Sequence, residues 1–259
     1  MTQLLEVKDV TRRFGGLVAN NAISFDVQEK EILSVIGPNG AGKSTLFKMI
    51  SSFLKTSSGE VLLRGERISN LSPHVVARKG VVRTFQESTI FKSMTVRESV
   101  VVSHHLRSTA TLGGYFLSTK SARKDVGDFG RSADEILQFL GLYEMRNELA
   151  SNLPQGHLRA LGIAIGLATN PIILLLDEPF AGMNHDETMR TVELVRAVRD
   201  RGVTVLLVEH DMPAVMSISD RIIVLNFGEK IAEGSPEEIQ KNEKVIEAYL
   251  GSEDDAIGI

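Results

Sequence analysis

The chain contains no cysteine. That excludes disulfides and thiolate-held metals, and it fits a reducing compartment. A long hydrophobic run is also lacking. The most apolar window, residues 158–176, is broken by Arg159, Asn170 and Pro171, so it does not read as a membrane span. Within it, the spacing of Gly162 and Gly166 reads as close helix packing in a core. Positive charge is not in excess: the net charge is −4, which leaves no basic field to attract nucleic acid. Residues 1–10 carry Glu6, Lys8 and Asp9 without an apolar stretch, so no secretory peptide is expected there. The chain has no internal repeat and no low-complexity tract.

What is present is a globular composition. The 259 residues, 42% hydrophobic and 24% charged, suffice for one large α/β domain or two small ones. The most informative stretch is Gly37-Pro38-Asn39-Gly40-Ala41-Gly42-Lys43-Ser44-Thr45, which fits G-x-x-x-x-G-K-[ST]. Backbone N–H groups of such a loop wrap nucleotide phosphates, and glycine lets the backbone come close. Lys43 would place its ammonium on the β- and γ-phosphates, and the Ser44 hydroxyl would ligate Mg²⁺. Residues 32–36 read as a buried strand entering the loop. Residues 45–50 read as the start of a helix whose N-terminal dipole faces the phosphates.

Around this loop the periodicity divides the chain. Residues 5–8 and 23–27 alternate apolar with polar, as half-exposed antiparallel strands do, and residues 59–65 look like a third short strand. Residues 95–106 and 133–142 have helical periodicity. Between them, residues 108–128 are rich in Ser, Thr, Gly and Lys and read as a surface excursion. Residues 172–176, 203–208 and 222–225 are apolar runs of strand length, as in a parallel sheet with helical cover. Asn184 can cap a helix over residues 186–201, with Met189, Val192, Val195 and Val198 on one face and Gly202 closing it. Ser235 and Pro236 open a last helix carrying Ile239, Val245, Ile246 and Leu250, ahead of an acidic tail expected to fray.

Asp177 and Glu178 close the first of these apolar runs. A carboxylate at the carboxyl end of a central strand lies where Mg²⁺ is held, so Asp177 is the candidate for the metal. Glu178 is the candidate for polarising the attacking water. Gln86, after Arg83-Thr84-Phe85, has an amide that could reach the metal or that water. His210 follows the 203–208 run and could contact the γ-phosphate and tie it to Glu178. The pair His104-His105 lies on a predicted helix and is expected on its exposed face.

These residues resemble the ATP-binding cassette of ABC transporters over nearly the whole chain. The motif order is Phe14 as the adenine-stacking aromatic, in a loop after the first strand. The phosphate loop follows, then Gln86 as the Q-loop, then Leu153-Pro154-Gln155-Gly156-His157 at the signature position. Leu174-Leu175-Leu176-Asp177-Glu178-Pro179 is similar to Walker B, Ala181-Gly182-Met183-Asn184 to the D-loop, and His210 to the switch histidine. Val18 joins Phe14 on the nucleotide. The resemblance is to the larger ATPase subunit of branched-chain amino acid importers. It rests on Arg13-Phe14-Gly15-Gly16-Leu17, Arg83-Thr84-Phe85-Gln86, Ala181-Gly182-Met183-Asn184, residues 245–251 and the long insert before the signature.

The resemblance implies an α/β P-loop cassette with a mostly parallel central sheet, a small antiparallel β-layer and an inserted helical subdomain. Residues 1–92 and 160–259 would form the nucleotide-binding core, residues 93–159 the helical signature subdomain, and residues 252–259 the tail. It implies Mg-ATP hydrolysis with Glu178, His210, Gln86 and Lys43 in catalytic roles and Ser44, Gln86 and Asp177 around the metal. The implied partners are a second ATPase subunit packed head to tail, two permease subunits and, indirectly, a solute-binding protein. A heterodimer is expected, with a homodimer as the alternative. The place would be the cytoplasmic face of the cell membrane. Ile90, Phe91 and Met94 would help form a groove for a permease helix. A soluble ABC-type ATPase not tied to transport and a non-catalytic nucleotide-binding regulator are the rival readings. The family's usual Leu-Ser-Gly-Gly-Gln is changed here. Pro154 stands where a serine would reach the partner's γ-phosphate, a bond worth about 1.5–3 kcal/mol. Ala160 and Ile165 stand where two arginines are usual.

Overall fold

Strands with no polar face must be covered on both sides, and three of them form the middle of this fold. In the computed structural model, which describes residues 3–84, 92–108, 117 and 119–254, every residue is buried in β3 (Ile32–Ile36), β7 (Ile173–Asp177) and β8 (Thr204–Val208). They belong to a six-stranded sheet of order β10-β9-β3-β8-β7-β6, with β6 (Val81–Arg83), β9 (Arg221–Asn226) and β10 (Glu229–Gly234) as the other members. All neighbours pair parallel except β10, which runs antiparallel to β9 at the edge. No residue of β10 is fully buried, so it has no apolar run for a sequence reading to find.

The pleat sorts the core. Leu33, Val35, Leu175, Leu206 and Val208 face α1 (Lys43–Ile50) and a second sheet. That sheet has order β2-β1-β4-β5 and contains β1 (Gln3–Phe14), β2 (Leu17–Gln28), β4 (Ser58–Leu63) and β5 (Glu66–Arg67). Its strands pair antiparallel. Short α2 (Pro73–Arg78) follows it. Ile32, Leu174, Leu176, Val205 and Leu207 face the opposite way, into a helical layer. That layer holds α3 (Val96–Ser103), α4 (Lys120–Phe139), α5 (Gln155–Ala168) and α6 (His185–Asp200). At one end, α7 (Met212–Ile218), α8 (Pro236–Gln240) and α9 (Glu243–Asp254) enclose a smaller cluster around Ile36, Val224 and Ile239.

Several expectations need correction. The excursion expected at 108–128 is helical from Lys120 onward, with Thr119 as its cap. The buried positions of α4 up to Leu137, Ala122, Asp125, Gly130, Ala133 and Leu137, recur at helical spacing, but Asp125 and Gly130 are not apolar and break the hydropathy pattern before Ala133. Gly130 admits the Arg97 guanidinium, which donates to the Gly130 carbonyl at 3.3 Å and to Asp134 at 2.7 Å. The last helix is two, broken between Gln240 and Glu243, and helix α9 runs into the tail as far as Asp254. Met189 is exposed while Val192, Val195 and Val198 are buried. Of the two spaced glycines, Gly166 meets Leu174, where a Cβ would come within 2.8 Å, but Gly162 faces open space. Among the described residues, no helix is long and apolar enough to cross a membrane.

His104 corrects the expectation of an exposed histidine face; its neighbour His105 is exposed. His104 is fully buried and stacks on Phe129 at 5.1 Å. Its Nδ1 lies 2.9 Å from the Val100 carbonyl, which can only accept, so Nδ1 carries the proton and Nε2 accepts from Ser132 at 2.9 Å. Burial lowers its pKa from 6.5. The unfolded chain therefore binds this proton more readily than the native one. The contribution to stability is complete above 6.5 and is lost as pH falls from there toward the lower native value. The melting temperature is expected to drop between pH 7.5 and 5.5, and the His104→Leu variant to show a flatter profile over that window. Parallel profiles would show that another group carries the acid sensitivity.

Candidate functional site

The parallel sheet delivers its loops to one edge. Strand β3 ends at Ile36 and the glycine loop follows, with left-handed backbone at Gly37, Gly40 and Gly42. Two of these glycines are obligatory for space as well. A Cβ on Gly37 would lie 2.1 Å from the Leu225 carbonyl oxygen, and one on Gly42 would lie 2.5 Å from that of Ala19. Buried Asn20 also reaches this loop, donating to the Gly42 carbonyl at 3.3 Å. The chain then enters α1, whose first turn has no acidic residue and whose cap Gly42 offers no side chain. By contrast α3, α6 and α8 carry full capping boxes from Thr95, Asn184 and Ser235. The N–H groups that open α1 are left for an anion.

Lys43 lies over the loop. Its ammonium donates to the carbonyls of Gly37 at 2.6 Å and Pro38 at 2.9 Å, which leaves a third donor. Burial lowers its pKa, while Glu178 and Asp177 pull the other way. The three charges therefore share one neighbourhood, with Lys43 from the β3 loop and the carboxylates from the end of β7. Asp177 is buried, Glu178 half-buried and Ser44 exposed. Glu178 has a left-handed φ of 50°, held because its N–H donates to the Val208 carbonyl at 2.9 Å. Such backbone strain recurs at functional positions. Asn39 and Gly40 are exposed, Pro38 and Thr45 half-buried, and Ala41 buried.

These residues fit a nucleotide phosphate and a hard divalent cation. The loop presents N–H groups and an ammonium, and Ser44 and Asp177 offer hard oxygen donors. Among the described residues, no group of three or more His, Cys, Asp or Glu could hold a metal alone. A cation here depends on ligand oxygens from elsewhere, as Mg²⁺ with phosphate does.

Phe14 is the last residue of β1 rather than part of a loop, and it is 45% exposed at the β1–β2 hairpin. The Arg12 guanidinium sits 4.5 Å from its ring centroid. Val18 pairs with Arg13 across that hairpin and is half-buried. His210 lies just past β8, exposed on a cleft of about 510 Å³ between residues 180–183 and 209–213. The described contact between its region and Glu178 runs through backbone, at Val208. Gln86, Ile90 and Phe91 lie outside the described residues. Met94 is half-buried beside α3.

Residues Leu153, Pro154, Gln155, Gly156 and His157 lead into α5, with Pro154 at its cap. This helix start also lacks a side-chain cap and an acid in its first turn. It packs on residues 181–183: Arg159 donates to the Ala181 carbonyl at 3.5 Å, and Gln155 lies beside Gly182. Two residues with no role assigned from the sequence prove central. Buried Glu209 accepts from the backbone N–H of Phe180 at 2.7 Å, of His210 at 2.9 Å and of Asp211 at 3.4 Å. Burial pushes its pKa up, against the pull of those three bonds. Arg83 ends β6 and donates to Asp177 Oδ2 at 2.5 Å. The sequence signal for each was a charge at the end of an apolar strand, without a partner in view.

Residues 20–181 match the ABC transporter family, and residues 229–255 match the branched-chain amino acid ATP-binding cassette transporter family. The chain is 46% identical over 250 residues to the high-affinity branched-chain amino acid transport ATP-binding protein BraF of Pseudomonas aeruginosa, covering 96% of this chain and 98% of that one. It is 45% identical over 249 residues to the corresponding protein LivG of Escherichia coli, with coverage of 96% and 98%. It also superposes on a nucleotide-free ATP-binding cassette from an ABC transporter with a TM-score of 0.85 and 30% identity, covering 96% of this chain and 99% of that one.

The Gly42→Ala variant forces a Cβ into the Ala19 carbonyl at φ +99°. It is expected to lose about 1–3 kcal/mol in urea unfolding. Gly16→Ala, which meets nothing within 4 Å, is expected to be neutral. Equal stability of the two variants would contradict the close packing of β2 on the loop.

Proposed function

The chain belongs to the ABC transporter family, and from that premise we propose that it is the ATP-hydrolysing subunit of an importer for branched-chain or related amino acids. The observation that carries the solute class is the likeness to BraF and LivG along the whole chain, together with the match of residues 229–255. Residues 93–159 are read as the signature-bearing subdomain and the remainder as the nucleotide-binding core. Similarity to importer subunits from end to end, with Glu178 and His210 both retained, disfavours the regulator and the soluble ATPase.

In this reading the loop N–H groups and Lys43 bind the β- and γ-phosphates, and Phe14 offers its free ring face to adenine. Bound Mg²⁺ supplies neutralisation of charge shared between those phosphates. Ser44 and Asp177 would hold it, with Gln86 as a further ligand. Glu178 polarises the attacking water, and His210 donates to the γ-phosphate. The apolar cleft of about 600 Å³ between α2, β6, α3 and α5 is read as the seat of a permease helix, and such a seat would bring the subunit to the membrane. Met94 is not among its described lining residues, and Ile90 and Phe91 lie outside the described residues. The α5 helix start faces the second ATPase subunit's nucleotide, where Pro154 supplies no hydroxyl.

The Glu178→Gln variant is expected to keep ATP affinity, lose at least ~10²-fold in turnover and accumulate as an ATP-bound dimer. In vesicles with co-purified permeases and binding protein, the wild-type chain should drive leucine uptake and the variant none. ATP turnover without uptake of any branched-chain amino acid would overturn the solute class. Near-normal turnover in Glu178→Gln would overturn its role.

The changed signature makes a second outcome measurable. A partner ATPase with serine at the position of Pro154 would complete the site built on this chain's Lys43 and Glu178. Mixing the two should raise ATPase activity well above the sum of the parts. Pro154→Ser should then strengthen mainly the site on the partner. A fully active homodimer of this chain would refute the unequal pair.

A further inference from the structure

Strand pairing brings a cation to the metal-side carboxylate before any ligand is considered. In the parallel register Arg83 of β6 lies opposite Leu175 of β7, so Asp177 is two residues further on and on the same face of the pleat. Thr84 secures this alignment by donating to the Leu175 carbonyl from both its N–H, at 2.9 Å, and its hydroxyl, at 3.2 Å. The Arg83 side chain spans the diagonal and meets Asp177 Oδ2 at 2.5 Å. Both partners are largely out of water, at 12% and 4% side-chain exposure. Exposed ion pairs contribute little, but a buried carboxylate left without its cation is strongly destabilised.

We propose that Arg83 is the resident counter-cation of Asp177 and that a divalent cation must displace it. Metal binding is thereby conditional on the phosphates that arrive with the metal. The inference rests on the nucleotide reading above and deepens it. Of the metal-side oxygen donors among the described residues, a free divalent ion finds exposed Ser44 and an Asp177 already neutralised by a hydrogen-bonded guanidinium. Mg²⁺ and Mn²⁺ carry a firmly held hydration shell, and one shared carboxylate is a poor exchange for it. Phosphate oxygens supply the missing ligands, and only then does the divalent charge outcompete the single charge of Arg83. Displacement is feasible because the guanidinium is not fully satisfied where it sits. Among the described residues its Nε is buried without a hydrogen-bond acceptor. Arg83 also lines the cleft between α2, β6, α3 and α5, which gives the side chain room to withdraw in the chain free of permease, the form used in the test. Arg83 is a positioning residue in this account: it acts through Asp177 and touches neither the nucleotide nor the attacked phosphorus.

The test uses Mn²⁺ as a spectroscopically visible probe, titrated into the full chain without nucleotide and monitored by electron paramagnetic resonance. The wild type is expected to bind free Mn²⁺ weakly and Mn²⁺ with ATP well. Arg83→Gln, which keeps a hydrogen bond to Asp177 but no charge, should bind free Mn²⁺ at least about tenfold more tightly. Adding Mn²⁺ alone should raise its melting temperature, with little effect on the wild type. Arg83→Lys keeps the charge and should remain close to the wild type in Mn²⁺ affinity. If Arg83→Gln and the wild type bind free Mn²⁺ equally while both bind Mn²⁺ with ATP, the counter-cation role is wrong. That role is equally refuted if Arg83→Lys binds free Mn²⁺ as tightly as Arg83→Gln. If the wild type fails to bind Mn²⁺ even with ATP, the nucleotide-site reading itself falls.

Discussion

Parallel pairing of β3, β8 and β7 in one register is the constraint on which this site depends. Ile32 lies opposite Val205 and Asp177 opposite Val208, so the three strands end level with one another. A one-residue slip would reverse the faces of Leu174, Leu176, Leu206 and Val208, exchanging what meets α1 for what meets α5 and α6. The same slip would separate Lys43 from Asp177 and Glu178. The alignment of Lys43 with the two carboxylates and the packing of the core are therefore enforced by the same hydrogen bonds, and burial of the central strands on both faces keeps the register from wandering.

The site is built from charges held out of water, each answered by a neighbour. Lys43 is covered by loop carbonyls and drawn by the two carboxylates. Asp177 is answered by Arg83 and Glu209 by three backbone N–H groups. Burial in a low-dielectric region strengthens each of these contacts and makes each costly to leave unmade. Glu209 adds mechanical linkage. It ties Phe180, just beyond Glu178, to His210 at the end of the next strand.

The helix starts at α1 and α5, like that of short α2, lack a side-chain cap, unlike the boxed starts of α3, α6 and α8. Capping groups satisfy N–H donors that would otherwise seek an anion. At α1 that omission leaves the N–H groups behind the glycine loop open to a phosphate. Pro154 at the α5 cap has neither a hydroxyl nor a backbone N–H to offer.

The amino-acid sequence by itself determined the phosphate loop, the Asp177-Glu178 pair, the position of His210, the buried strands and the caps at Asn184 and Ser235. Each is written in local spacing: glycines that relieve steric limits, apolar runs, and polar residues at element ends. What escaped was set by contacts between distant segments. Helix α4 places Asp125 and Gly130 on its buried face, which hides its period in the hydropathy pattern. His104 is buried by Phe129 and Ser132, which lie on another helix. Gly166 is needed for packing and Gly162 is not, a distinction made by Leu174. The partners of Arg83 and Glu209 follow from strand order, because β6 lies beside β7 and β8 ends beside the Phe180 turn. Tertiary structure alone decided them: long-range pairing chooses which strand ends become neighbours, and an isolated charge in a sequence does not specify what it will face.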